Sequence, residues 1–249
     1  MANKERFSNP FIVLSITRYK DDSAIVSLAG NMGVVSCLVK GVYRVKSPLK
    51  SLLFTGNILM VEYSHLNDGL LFAYSTKLIF DASPLLSDLN ASSFLFFLEE
   101  ISLSLFHYGD TFPFEEVFSI LKGFSDRKDS LSLSLLFLGS IYRSLGLEVN
   151  IRNCIRCGRN HGIVSYSLRE GGFLCRDCLS EEDEKKDDMD LYVLKFAFSH
   201  VDTHMVSKVV PKRNGLKVIT DLYQHLMEYF DLKGLKSFAF LLKNLSDDL

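Results

Sequence analysis

The stretch Ile58–Phe80, ILMVEYSHLNDGLLFAYSTKLIF, decides the fold class of the N-terminal third of this chain. Two β-rich runs, Ile58–Tyr63 and Leu70–Phe80, flank Asn67-Asp68-Gly69. Asn, Asp and Gly tolerate the positive φ of a tight turn, so this spacing predicts a hairpin. The same texture continues toward the N-terminus in Phe11–Thr17, Ala24–Leu28 and Gly33–Val39, with breaks at Lys20-Asp21-Asp22, Gly30-Asn31 and Pro48. Five short strands predict a small barrel of OB-fold or SH3-like type, because closure removes exposed sheet edges. The pattern does not order the strands.

Past Asp81-Ala82-Ser83-Pro84 the periodicity becomes helical. Ser92–Tyr108 reads as an amphipathic to fully buried helix. Pro113–Phe124 opens on a proline followed by Glu115 and Glu116, which favour a helix N-terminus, and Ser130–Leu145 stops at Gly146. Leu191–His200, Leu216–Phe230 and Leu235–Leu245 follow, the last two separated by Lys233-Gly234. The fold class is therefore α+β: a small β-barrel domain of OB-fold-like or SH3-like type over residues 1–82, then a helical domain over 83–249 with an inserted four-cysteine module at 151–179.

With 249 residues and 47% hydrophobic content the chain can bury a substantial core. The 28 basic and 30 acidic residues give a formal charge of −2, which argues against a protein coated in positive charge. Residues 1–80 nevertheless carry nine Lys/Arg against five Asp/Glu, whereas residues 81–150 carry four against ten. The N-terminus MANKERFSNP lacks the apolar run of a signal peptide, and Leu131–Tyr142 is too short and serine-broken to span a bilayer. A cytoplasmic protein without membrane attachment is the expectation. The acid run Glu181–Asp190 reads as a solvated linker.

Cys154, Cys157, Cys175 and Cys178 are spaced C-x2-C-x17-C-x2-C, within the pattern of a tetrahedral zinc site. Gly158 supplies a permissive backbone after the first pair, and Gly171-Gly172 can turn the chain back toward Cys175. Four thiolates leave no open position for water, so one structural zinc ion is expected and hydrolysis is not. Two disulfides or a redox C-x2-C are the competing readings, and the second needs a βαβ context that is absent. His161 lies in the loop, and Cys37 reads as a small buried residue in an alternating strand. Arg152, Arg156, Arg159, Arg169 and Arg176 surround the module; they either neutralise a doubly negative tetrathiolate or contact nucleic acid.

Between strands, Leu38–Lys50 reads LVKGVYRVKSPLK, with no acid. Lys40, Arg44, Lys46 and Lys50 can track phosphates, and Tyr43 can stack on a base; a solvated loop is the alternative.

The run Lys40-Gly41-Val42-Tyr43-Arg44-Val45-Lys46-Ser47 resembles a segment of the RecO family of bacterial DNA repair and recombination mediators. The similarity extends through Gly33, the hydrophobic helical middle, Leu145-Gly146, Cys154-Ile155-Arg156-Cys157-Gly158, Tyr166-Ser167 and Gly171-Gly172-Phe173-Leu174-Cys175, to Cys178. The chain departs from the family at Tyr43, a usually basic position, at Pro48, where Arg is common, and at Ala29, where Thr is frequent. The resemblance implies an N-terminal OB-fold, a helical domain with a zinc module, and binding to single- and double-stranded DNA. It further implies strand annealing, a RecR-type partner, help in loading recombinase onto coated strands, and a site for the acidic, apolar C-terminal tail of single-strand-binding protein.

No P-loop, G-x-S-x-G elbow, H-E-x-x-H or dinucleotide fingerprint is present, so no catalytic residue is assigned. His200 and His204, with Asp202, read as surface or helix-end residues. Glu99-Glu100 and Glu115-Glu116 read as exposed helical positions.

Overall fold

The computed structural model describes residues 5–200 and 210–247. The N-terminal third is a closed barrel of β1 (Phe7–Tyr19), β2 (Ser23–Gly30), β3 (Gly33–Val39), β4 (Ile58–Asn67) and β5 (Leu70–Phe80), ordered β1-β2-β3-β5-β4. β3 and β5 pair in parallel, and β4 closes the barrel onto β1. Inserting β5 between β3 and β4 is a Greek-key crossing, which selects the OB-like member of the two barrel types. A short helix, α1 (Leu49–Leu52), lies between β3 and β4.

β1 starts earlier than its hydrophobic pattern. Phe7–Pro10 pair with Met60–Tyr63 although none of the four is buried, so pairing rather than burial extends the strand. Its central residues Phe11–Leu14 are buried on both faces. Phe11 and Val13 pack into the barrel with Val26, Leu59, Val61 and Tyr63. Ile12 and Leu14 join the core of the helical region.

That region opens with a 3-10 turn, Ser83–Ser87, and continues as α2 (Leu89–Leu105), α3 (Phe114–Ser125) and α4 (Ser130–Ser144). α2 begins three residues before the predicted start because the Asp88 side chain accepts a hydrogen bond from the Ala91 N–H at 2.8 Å, an N-cap. It ends at Leu105, before the predicted Tyr108, which is drawn into a bridge with Gly33 of the barrel. Asp129 caps α4 in the same way through the Ser132 N–H. α4 runs through the core, with Phe137 against Phe94 and Phe97 at ring distances of 5.1 and 5.8 Å. Gly139 brings α4 onto the carbonyl of Ala197, where an added Cβ would lie 1.8 Å from that oxygen.

Next comes a three-stranded sheet of β6 (Asn150–Cys154), β7 (Ile163–Ser167) and β8 (Gly172–Cys175), ordered β6-β8-β7. α5 (Asp188–Ala197), α6 (Lys212–Tyr229) and α7 (Lys236–Asp247) complete the fold. Three of the acids in Glu181–Asp190 are structural rather than part of a solvated linker. Asp187 caps α5 by accepting from the Met189 N–H, and Asp190, 1% exposed, accepts from Lys217 at 2.7 Å and Asn214 at 2.7 Å. Asp183 is bound by Arg156. Glu99 and Glu100 are likewise half-buried rather than exposed, and Glu100 accepts from the Ser237 N–H of α7.

The junction between barrel and helices converges on Asn57. Its backbone carbonyl accepts from the Val13 N–H, its Nδ2 donates to the Leu52 carbonyl at 2.9 Å, and its Oδ1 accepts from the Ala82 N–H at 2.8 Å. The preceding Gly56 has φ +87, and an added Cβ would lie 2.5 Å from Leu95 of α2. Replacing Asn57 with Ala strands the Ala82 N–H and the Leu52 carbonyl, a cost of about 1–3 kcal/mol per buried group. Urea denaturation of Asn57→Ala should show a lower midpoint with an unchanged slope; an unchanged midpoint would show that this junction does not depend on the side chain.

Candidate metal centre and nucleic-acid interface

Cys154 ends β6, Cys175 ends β8, Cys157 lies in the turn after β6, and Cys178 closes the 3-10 turn Arg176–Cys178. The turns are held by backbone bonds: the Gly158 N–H donates to the Cys154 carbonyl, and the Cys154 N–H to the Arg159 carbonyl. Gly158, at φ +77, takes a conformation that side chains rarely adopt. All four sulfurs lie within 4.8 Å of one another.

The Cys157 and Cys175 sulfurs are 3.7 Å apart, and the edge of a tetrahedron with zinc–sulfur bonds of about 2.3 Å is roughly 3.8 Å. A disulfide needs about 2.05 Å, and all five cysteines are free. β6 and β8 pair in parallel, but no helix crosses between them, so the redox arrangement is absent among the described residues. The four cysteines can hold a metal ion in a closed shell. His161 is exposed, stands outside that group, and lies 3.4 Å from Asn160. Burial opposes ionisation of Cys154, but donors including the Cys175, Cys157 and Arg156 backbone outweigh it and lower the thiol pKa. Contacts with the Cys157 and Cys175 sulfurs push Cys178 up instead. A metal ion binds thiolates, so holding one here requires the four sulfurs to release their protons.

Three of the five surrounding arginines bind carboxylates. Arg156 donates to Glu170 and Asp183 and to the Cys178 carbonyl, tying the hairpin and the acid run to the last cysteine turn. Asp183 is held at about 2, chiefly by Arg156. Arg159 pairs with Asp177 and also feels the charges of Cys157 and Cys175. Arg169 pairs with Glu228 of α6 at 3.1 Å. Arg152 and Arg176 are exposed.

On the barrel, the segment between β3 and α1 lies against the β1–β2 turn. The Tyr43 N–H donates to the Asp22 carbonyl, and Arg44 Nε pairs with Asp22 Oδ2 at 2.7 Å. Arg18 lies over the Tyr43 ring at 5.1 Å, and Lys40 lies over the Phe72 ring at 5.3 Å. Lys46 and Lys50 are exposed and form no salt bridge among the described residues. The structure therefore sets Arg18 over the Tyr43 ring and Lys40 over the Phe72 ring, and ties Arg44 to Asp22. Sequence reasoning missed Arg18 and Phe72, which reach this segment from β1 and β5; only the strand register could have revealed them.

A second cationic feature joins α4 to β6. Arg143, Glu148, Val149, Asn150, Ile151, Arg152, Phe198 and His200 line a cleft of about 520 Å³. Arg143 Nη1 is buried there without a hydrogen-bond partner among the described residues. His200 belongs to this cleft, while His204 and Asp202 lie outside the described residues.

Elemental analysis of purified protein should return one equivalent of metal per chain. Chelation or Cys157→Ser should increase amide hydrogen exchange across residues 151–179 while leaving the barrel strands protected. Unchanged exchange after complete metal loss would remove any structural role for the ion.

Residues 86–235 match the family model described as recombination protein O C terminal. Among curated proteins, the chain is 22% identical over 228 residues to a DNA repair protein RecO of Oceanobacillus iheyensis, covering 90% of this chain and 86% of that protein. It is 24% identical over 238 residues to the DNA repair protein RecO of Halalkalibacterium halodurans, covering 92% of each. With that of Bacillus cereus it shares 25% over 213 residues, covering 83% and 84% respectively.

Proposed function

Since this chain belongs to the RecO family and has a role in DNA repair and recombination, we propose that it is a nonenzymatic mediator that binds single- and double-stranded DNA through its barrel. The observation that carries this reading is the acid-free segment Lys40–Lys50, in which Lys46 and Lys50 stay exposed and unpaired among the described residues. Lys40 and Tyr43 supply a cation and a ring beside them, whereas Arg44 must loosen from Asp22 to add its full charge to a phosphate contact. Annealing in this mechanism requires no covalent step. The protein screens repulsion between two phosphate backbones and raises the local concentration of complementary strands.

The four thiolates hold one zinc ion, which fastens residues 151–179 as a structural module. Residues 1–82 act as the DNA-binding domain, and residues 83–249 carry the protein contacts, including a RecR-type partner. Recombinase loading onto coated single strands follows from holding DNA and the coating protein together. No helix among the described residues is long and apolar enough to cross a membrane. A role in DNA repair puts the site of action in the cytoplasm.

A second activity, as an adaptor for a peptide tail, is favoured by the cleft at Arg143. An acidic, apolar tail such as that of single-strand-binding protein needs cations beside apolar walls, and Arg143 and Arg152 stand there with Val149, Ile151 and Phe198. Arg143 brings to this cleft a guanidinium whose Nη1 has no hydrogen-bond partner among the described residues.

Changing Lys40, Lys46 and Lys50 together to Gln should reduce the salt slope of single-strand binding by about 2, at roughly 0.7 per phosphate contact. Arg44→Gln should reduce it less, and an unchanged slope in the triple variant would remove this segment from the DNA site. For the tail, fluorescence anisotropy should show Arg143→Ala weakening an acidic peptide with an apolar C-terminus at least tenfold with DNA affinity kept. Equal peptide affinity would exclude this cleft.

A further inference from the structure

Leu89, Phe96 and Leu103 stand seven residues apart on α2, and all three face solvent, at 70%, 50% and 40% exposure. The rest of this helix is mostly enclosed: eleven of its 17 residues are buried. Positions seven residues apart lie on one face of a helix, and these three span about 21 Å of it. α7 covers only the neighbouring face. Its Phe240 approaches Phe96 with ring centres 6.4 Å apart and is itself 41% exposed. Between the two helices lies an open groove of about 530 Å³, with Phe96, Leu103 and Phe240 on its walls beside Glu99, Glu100 and Lys236.

The charges of the groove indicate what it can receive. Glu100 is already satisfied by the Ser237 N–H at the start of α7, at 2.9 Å. The half-buried Glu99 carboxylate has no salt bridge or side-chain hydrogen bond among the described residues, and Lys236 does not reach it within ion-pair distance. Burial, then the neighbouring Glu100, holds its carboxyl above the usual range, as expected of a carboxylate without a counter-charge.

We propose that the α2–α7 groove docks a helix of another protein, one that presents apolar residues at heptad spacing and a lysine or arginine opposite Glu99. Nucleic acid and acidic tails are disfavoured here because Glu99 and Glu100 outnumber Lys236 on the groove walls. A second copy of this chain would bring its own Glu99 and Glu100 to the same contact. The groove shares no residue with the basic barrel segment or with the Arg143 cleft, so it stands independently of the DNA and tail readings.

The test uses two fluorescent helical peptides with the same leucine heptads, one flanked by lysines and the other by glutamates, titrated against the full metal-loaded chain by anisotropy. The lysine peptide should bind at least tenfold more tightly. Phe96→Ser and Phe240→Ser, both at exposed positions, should each weaken it about tenfold, while Glu99→Gln should erase most of the preference between peptides. Circular dichroism of each variant and an unchanged salt slope for DNA confirm that only the groove was altered. Equal binding of both peptides, or full retention by both serine variants, would overturn the proposal. So would sedimentation of the wild-type chain as a dimer that Phe96→Ser separates.

Discussion

Four consecutive residues of β1, Phe11–Leu14, are buried on both sides, and the arrangement of the whole molecule depends on that double burial. Phe11 and Val13 fill the barrel, while Ile12 and Leu14 pack into the helical core. Each such side chain contributes roughly 1.5–3 kcal/mol, so a strand with two buried faces binds the two cores to each other. Asn57 satisfies the polar groups that this close contact would otherwise strand, and Gly56 lets Leu95 approach. The barrel is thereby fixed on the helices, and its basic segment keeps a set direction relative to the cleft and the groove of the helical region.

The cysteine module is attached by a different kind of force. Tyr166 of β7 donates to Asp221 of α6 at 2.6 Å, Lys186 reaches the same carboxylate at 3.3 Å, and the buried Asp190 is matched by Lys217 and Asn214. A buried carboxylate is tolerated only when its hydrogen bonds are supplied, and each of these is. Much of the dense charge in this part of the sequence is therefore directed inward, to fasten the module and its acid run against α6. Formal charge along the chain is consequently a poor guide to the field outside it. Arg156, Arg159 and Arg169 count as cations in the sequence but present ion pairs at the surface. On the barrel the balance differs, because Asp22 meets only one of the basic side chains of the Lys40–Lys50 segment.

Three surfaces of distinct character follow. The barrel end offers cations and rings, the Arg143 cleft offers cations and aliphatic walls, and the α2–α7 groove offers carboxylates and aromatic walls. Surfaces of different chemistry on one scaffold can accept different partners without competition for the same side chains.

Local physics wrote much of this into the sequence. Strand alternation, the Asn67-Asp68-Gly69 turn, helical periods and the spacing of four cysteines are properties of neighbouring residues, so the barrel, most of the helices and the candidate metal centre were legible there. The ends of elements were less so: Phe7–Pro10 became strand through pairing with β4, and Tyr108 left its helix for a bridge to Gly33. What only the tertiary structure decided are the encounters between distant segments, Arg44 with Asp22, Arg18 with Tyr43 and Arg156 with Asp183, and which side of α2 stays open among the described residues. α2 is apolar almost all round, so its sequence cannot say which stripe is left uncovered. That depends on where α7 comes to rest, a matter of packing between residues more than a hundred positions apart.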